Sequence, residues 1–194
     1  MSESSPSASH DASSGAGLAP PSPWVQRFAA LIRPAGKVLD LACGSGRHAR
    51  WLAERGFEVE AVDRDAAALQ GLRGVPGIHT RLADLEAAHW PFEEQRFDAI
   101  VVTNYLYRPH FGAMLELAAA GGVLIYETFM VGHERFGKPS RADFLLQPGE
   151  LLQRVGEGWN VVAFEQGEVS APRPAVIQRI CALKGEASAL RLAP

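Results

Sequence analysis

The sequence lacks any apolar run long enough to cross a membrane, so no membrane-spanning segment is expected. It has only two cysteines, Cys43 and Cys181, far apart along the chain. They supply neither a disulfide framework nor zinc-ligand spacing, which fits a reducing compartment. It has no excess of basic charge. The formal net charge is −3, which argues against a general polyanion binder, because nonspecific nucleic-acid affinity is mostly electrostatic. The first 22 residues, "MSESSPSASHDASSGAGLAPPS", contain no lysine or arginine and no apolar core. A secretory signal or a mitochondrial presequence is therefore not expected. The cytoplasm is the default location, with a small-molecule partner and a monomeric or homodimeric state.

The 194 residues suffice for one core domain with tails. Residues 1–22 are rich in Ser, Ala, Pro and Gly and read as a disordered tail. The folded domain is expected over 23–185, with a C-terminal tail over 186–194.

From residue 23 onward, strand and helix patterns alternate. Helices are expected over 23–32, 47–55, 66–72, 110–119 and 148–155. Strands are expected over 37–42, 57–63, 78–83, 97–103, 123–129, 160–165 and 176–183. Gly56 reads as a helix C-cap, and Gly121-Gly122 as the break between the fourth helix and the fifth strand. Alternating strands and helices imply an α/β fold with a mostly parallel, doubly wound sheet. The last two strands have no helix between them and read as a hairpin.

The stretch "VLDLACGSGRHA", Val38–Ala49, carries the chemistry. It is a strand that ends in glycines and opens a helix, which lets a ligand approach backbone N–H groups. Gly44, Gly46 and Ala49 match G-x-G-x-x-A, a pattern that serves dinucleotides equally well. Asp40 lies inside the strand. A buried carboxylate needs a partner, either a ligand's ammonium or amide or the loop's own N–H groups. Asp63 ends the second strand, where an acid can accept from both ribose hydroxyls. Asp84 follows the third strand and can accept from an adenine amino group or cap a helix.

"VLDLACGSGRHARWLA", "VEAVDRD", "RLADL", "FDAIVVTNYLY" and "AAGGVLIYETF" resemble, in order and spacing, the successive motifs of class I S-adenosylmethionine-dependent methyltransferases. The resemblance covers about residues 38–128. It implies a Rossmann-like seven-stranded sheet of order 3-2-1-4-5-7-6 with the last strand antiparallel. It implies S-adenosyl-L-methionine as cofactor, with Asp40, Ala42, Gly44 and Gly46 at the methionine end and Arg47 among the cofactor contacts. Asp63 would hold the ribose, Arg64 would flank the adenine, and Asp84 and Leu85 would recognise it. Many members have glycine at the position of Ala42. "PGELLQRVGEGWNVVAFE" is similar to the tellurite-resistance branch.

Methyl transfer from a sulfonium mainly requires alignment, and a general base is needed only if the nucleophile arrives protonated. No catalytic residue is assigned. Thr103 and Asn104 are expected beside the cofactor at the sheet's carboxyl edge. Tyr105, Glu127, His133 and Arg135 are the candidate substrate contacts, the last two on a basic segment over 130–144 suited to an anionic acceptor. Each has a structural alternative, namely capping, packing or ion pairing. His48, His89 and His110 form no metal spacing and read as helix-surface or loop residues. The rival functions are an NAD-type oxidoreductase, a non-catalytic module of the same fold, and an RNA methyltransferase.

Overall fold

The computed structural model describes residues 18–185. Most of the expected N-terminal tail and all of the expected C-terminal tail lie outside the described residues. The strands are β1 (Lys37–Leu41), β2 (Glu58–Asp63), β3 (Ile78–Leu82), β4 (Phe97–Thr103), β5 (Ala118–Phe129), β6 (Trp159–Val169) and β7 (Ala175–Lys184). The helices are α1 (Pro23–Phe28), α2 (Arg47–Ala53), α3 (Ala66–Gln70), α4 (Phe111–Glu116) and α5 (Glu150–Val155), with short 3-10 turns between elements.

The seven strands form one sheet of order β3-β2-β1-β4-β5-β7-β6. β1 pairs in parallel with β2 and β4, whereas β7 runs antiparallel to both β5 and β6. The antiparallel strand is thus the last in sequence, as expected, and β6–β7 is the expected hairpin.

Side chains alternate between the two faces of a strand. Leu39 and Leu41 of β1, Ile100 and Val102 of β4, and Leu124 and Tyr126 of β5 pack with Phe111 and Met114 of α4 and Leu151 of α5. Val38, Ala99, Val101, Val123 and Ile125 pack on the other face, with Trp24 and Val25 of α1, Ala49 and Leu52 of α2, and Leu69 of α3. The same parity sends Asp40, Thr103 and Glu127 toward the α1/α2 face.

Several expected boundaries move, two of them with structural consequences. β5 begins at Ala118 rather than at 123, because Gly121 takes a φ of +75° and absorbs a register shift instead of ending the strand. The folded chain also begins before residue 23. Ser22, expected in the tail, is only 4% exposed. Its side chain caps α1 by accepting from the Trp24 N–H at 3.1 Å.

Candidate functional site

The carboxyl ends of the parallel strands open into a cleft of about 240 Å³. Seven of the expected site residues line it: Ala42, Asp63, Arg64, Asp84, Leu85, Asn104 and Tyr105, joined by Ala83 and Glu86. They come from the ends of β1, β2, β3 and β4, where doubly wound sheets bind ligands.

Three local features shape the cleft. Ala42 takes a φ of +55°, a left-handed conformation that glycine adopts more readily. Asn104 also has a positive φ, +56°, and its N–H donates to the Glu127 carbonyl at 2.9 Å. This turn brings both Asn104 and Tyr105 to the cleft wall. The two loop glycines differ from each other. A Cβ on Gly44 would meet nothing within 4 Å, whereas a Cβ on Gly46 would lie 2.9 Å from Leu72 Cγ. Gly44 therefore leaves bare backbone beside open space, and Gly46 packs the loop against α3's end.

The acids are arranged to accept. Asp63 Oδ2 takes the Gly44 N–H at 2.7 Å and Oδ1 takes the Asp65 N–H at 2.9 Å. Each oxygen retains a lone pair for a further donor. Asp84 Oδ1 accepts from the Glu86 N–H at 2.9 Å, and among the described residues Oδ2 has no partner. Arg64 and Glu86 form an ion pair at 3.9 Å.

Asp40 is 1% exposed and accepts from the Ala49 N–H at 3.0 Å, in the first turn of α2. Burial pushes its carboxyl up to about 7, against the opposing pull of that bond and of Arg47. That bond is to backbone, one of two roles that the sequence lets Asp40 hold together. Asp40 does not line the cleft.

Beside the cleft, on the α1/α2 face, runs a polar network that the sequence did not disclose. His48, expected on a helix surface, is 1% exposed. Its Nε2 accepts from the Ser22 N–H at 3.1 Å, and its Nδ1 is 3.5 Å from Thr103 Oγ1. Burial, aided by Arg47, lowers its pKa to about 3, so the ring stays neutral. Ser22 Oγ–H donates to Glu127 Oε1 at 2.8 Å, and Arg179 pairs with Glu127 Oε2 at 3.2 Å. Arg47 donates to the Pro20 carbonyl at 3.2 Å. Thr103, Glu127 and Arg47 thus anchor residues 20–22 to the sheet and α2. Ser22→Ala is expected to cost about 1.5–3 kcal/mol, combining a lost helix cap with a lost bond to a carboxylate. Thermal unfolding checks this, and an unchanged midpoint counts against the anchoring role.

The structure does not bring His133 and Arg135 to the cleft. His133 is 3% exposed, stacks on Phe129 at 4.1 Å, and its Nε2 lies 3.2 Å from the Lys138 carbonyl. Arg135 pairs with Glu168 on β6, and Arg141 with Asp143. The 130–144 segment folds against β7, with the Met130 N–H bonded to the Val176 carbonyl. None of its residues lines the cleft.

A methyltransferase-domain family model matches residues 38–120. Over 100 residues the chain is 41% identical to a protein-L-isoaspartate O-methyltransferase of Chlorobaculum tepidum, covering 47% of this chain and 44% of that protein. Over 149 residues it is 33% identical to a malonyl-[acyl-carrier protein] O-methyltransferase of Salmonella typhimurium, covering 69% of this chain and 58% of that protein. The chain spans about half the length of these curated relatives. The crystal structure of TehB from Haemophilus influenzae superposes with a TM-score of 0.68 at 24% identity, covering 82% of this chain and 61% of that one.

In its sheet order, its glycine loop and the methyltransferase-domain match over residues 38–120, the chain resembles the class I S-adenosylmethionine-dependent methyltransferases. Its fold is shared with the TehB structure. The cofactor of the class is S-adenosyl-L-methionine, and the residues present fit it. Gly44 offers the open backbone cradle, and Asp63 and Asp84 keep acceptor positions at the cleft. Among the described residues no cluster of metal-ligating side chains occurs, and no helix is long and apolar enough to cross a membrane.

Proposed function

We propose that the chain transfers a methyl group from S-adenosyl-L-methionine to a small-molecule acceptor. The observation that carries this reading is Gly44. Its backbone faces open space at the start of a helix, with Asp63 bound to its N–H and oriented by it. An NAD-type oxidoreductase would bring two phosphates to this loop, where Asp40 and Asp63 repel them. When bound, the cofactor would supply an electrophilic methyl group on a sulfonium, with a neutral thioether as its leaving group, and this chain's residues would hold and align it.

The chain's own part is placement. Asp63 accepts from the ribose, Asp84 from the adenine amino group, and Leu85 gives the adenine an apolar wall. Arg64 and Glu86 flank the opening. Asn104 and Tyr105 form the wall nearest the carboxyl end of β4. The expected anionic acceptor rested on the 130–144 segment. With Arg135 and Arg141 engaged in ion pairs and His133 buried, that support narrows to Lys138. A cytoplasmic location and a monomeric or homodimeric state remain part of this reading.

Calorimetric titration with S-adenosylhomocysteine tests the assignment. Asp63→Ala is expected to weaken binding by roughly 1.5–3 kcal/mol, through a lost charge-assisted bond. Asp63→Asn keeps one acceptor for Gly44 and should fall between. A folded Asp63→Ala protein with wild-type affinity removes the ribose role.

A further inference from the structure

The carboxyl edge of the sheet carries a second hollow, separate from the cofactor cleft. It has a volume of about 460 Å³, and its walls include Arg108, Asp143, Gln147, Glu150, Gln153 and Arg154. None of these lines the cleft. Three stretches of chain build it: the turn after β4, the segment after β5, and α5. β4 and β5 are parallel, so the hollow and the cleft lie along the same edge. Arg108 stands three residues after Tyr105, a wall of the cleft. Their α-carbons are therefore at most about 11 Å apart.

The charges in the hollow do not cancel. Glu150 is buried, and both of its oxygens are occupied. Oε1 accepts from Arg108 Nε at 2.8 Å and Arg154 Nε at 2.6 Å. Oε2 accepts from Arg108 Nη2 at 2.9 Å and the Gln147 N–H at 2.8 Å. Two guanidinium groups thus share one carboxylate, which leaves a surplus of positive charge. Burial alone would raise the Glu150 carboxyl, yet these partners hold it at about 2. Asp143, the other acid of the wall, is paired with Arg141 at 2.7 Å.

The two arginines are not equivalent. Arg108 also donates to the Asp143 and Leu145 carbonyls, at 2.7 and 2.8 Å, and so holds the segment after β5 in place. Arg154 uses only its Nε–H. Among the described residues, its terminal N–H groups have no partner. The bond to Glu150 and the Phe111 ring, 5.4 Å from the guanidinium carbon, fix the direction of that planar fork. The Arg154 side chain is 29% exposed and lines the hollow, so the fork is presented there. The side-chain amides of Gln147 and Gln153 stand on the same walls and, among the described residues, are likewise unengaged.

We propose that this hollow is a monocarboxylate subsite, in which the Arg154 fork holds the acid end of an elongated acceptor whose other end reaches the cleft at Tyr105. This deepens the methyltransferase reading and rests on it. A guanidinium fork matches the two oxygens of a carboxylate in one plane. A single negative charge cancels the surplus, whereas a phosphate dianion exceeds it and is repelled by Asp143 and Glu150. The acid end is a handle and not the methylated atom, since the hollow and the cleft share no wall.

The test is nuclear magnetic resonance at constant ionic strength on the full chain saturated with S-adenosylhomocysteine. The probes are acetate, octanoate, 1-octanol and inorganic phosphate. The signals read are the Arg154 Nε–H, assigned by its loss in Arg154→Gln, and the Tyr105 backbone N–H. Acetate and octanoate should shift the Arg154 signal saturably, and octanoate alone should also shift Tyr105. Octanol should leave the Arg154 signal in place, and phosphate should bind more weakly than acetate. Arg154→Gln should weaken octanoate roughly 10-fold or more, read at Tyr105. Gln153→Glu, at an exposed position that leaves the partners of Glu150 intact, adds a negative charge and should weaken it roughly 3- to 5-fold. Arg135→Gln should leave octanoate binding unchanged. All three variants should bind S-adenosylhomocysteine with wild-type affinity, which also reports that they are folded. The proposal is overturned if octanol shifts Arg154 as octanoate does, if phosphate binds more tightly than acetate, if octanoate leaves Tyr105 unmoved, or if neither Arg154→Gln nor Gln153→Glu changes its affinity. Failure of the wild type to bind S-adenosylhomocysteine sinks the underlying methyltransferase reading instead.

Discussion

Valine at position 46 is expected to destabilise the protein by about 2–5 kcal/mol, the sum of a left-handed backbone penalty and overpacking. Gly46 has a φ of +75°. Its Cβ position lies against Leu72, which is fully buried and cannot swing into solvent. The midpoint of thermal unfolding should fall by roughly 5–15 °C. Gly44→Ala makes the contrast. It too has a positive φ, +55°, but its Cβ position is open. Only the backbone penalty of about 1–2 kcal/mol applies there, while the new methyl group stands where the cofactor approaches. One glycine should therefore register mainly in stability and the other mainly in S-adenosylhomocysteine affinity. Equal effects of the two substitutions on stability would count against this division.

Asp40→Asn is expected to stabilise the protein at pH 8 and to leave it nearly unchanged at pH 4. The sign follows from the direction of the shift. Burial holds the folded carboxyl at about 7, above the ordinary aspartate value of about 3.9 that the unfolded chain has. Between these values the folded state binds the extra proton, so stability falls as pH rises through the window and then levels off. Asparagine never ionises, and its Oδ1 still accepts the Ala49 N–H. The difference between the two proteins should grow to on the order of 3–4 kcal/mol above pH 7. The groups that bear on Asp40 are Arg47, which opposes the shift, and Asp63, which adds to it. Glu150 behaves oppositely. Its own burial is outweighed by Arg108, the Gln147 N–H and Arg154, which bring it down to about 2, so its contribution is lost only in acid, below this window. Urea unfolding at pH 4.5, 6 and 8 measures the profile, and a difference that does not vary with pH overturns it.

The sheet was legible because parallel strands buried on both faces read as apolar runs, such as "FDAIVVT" and "VLIYETF". Glycines were harder to place. Gly121-Gly122 looks the same in sequence whether it ends an element or bulges a strand, and the register of β5 against β4 decides it. The cleft was legible at Asp63, Asp84 and Leu85, since each directly follows or ends a strand and so falls at the carboxyl edge. Glu86 carried the same signal two residues past Asp84 and was missed. The network around His48 was not legible. Strand parity assigns Thr103 and Glu127 to the α1/α2 face, but nothing local in the chain says that Ser22 returns to meet His48 and Glu127 from 26 and 105 positions away. The basic 130–144 segment misled for a related reason. Following β5 suggests the cleft, yet its backbone bonds tie it to β7, on the far side of β5 from the cleft strands.

The pairing pattern also carries a consequence for how the protein assembles. Trp159 of β6 pairs with Lys184 of β7 within a single hairpin, whereas Val38 of β1 must find Ala99 of β4 across the intervening β2 and β3 units. The hairpin is cheap to close and the central strand pair is not, because loop-closure entropy is lost before distant contacts form. The order of events should therefore run from the edge of the sheet inward, with the β1–β4 seam late. Every wall of the cleft hangs on that seam or its neighbours. A chain caught partway would hold its C-terminal hairpin and no cofactor site, and its unpaired β1 and β4 would be the apolar edges through which copies associate.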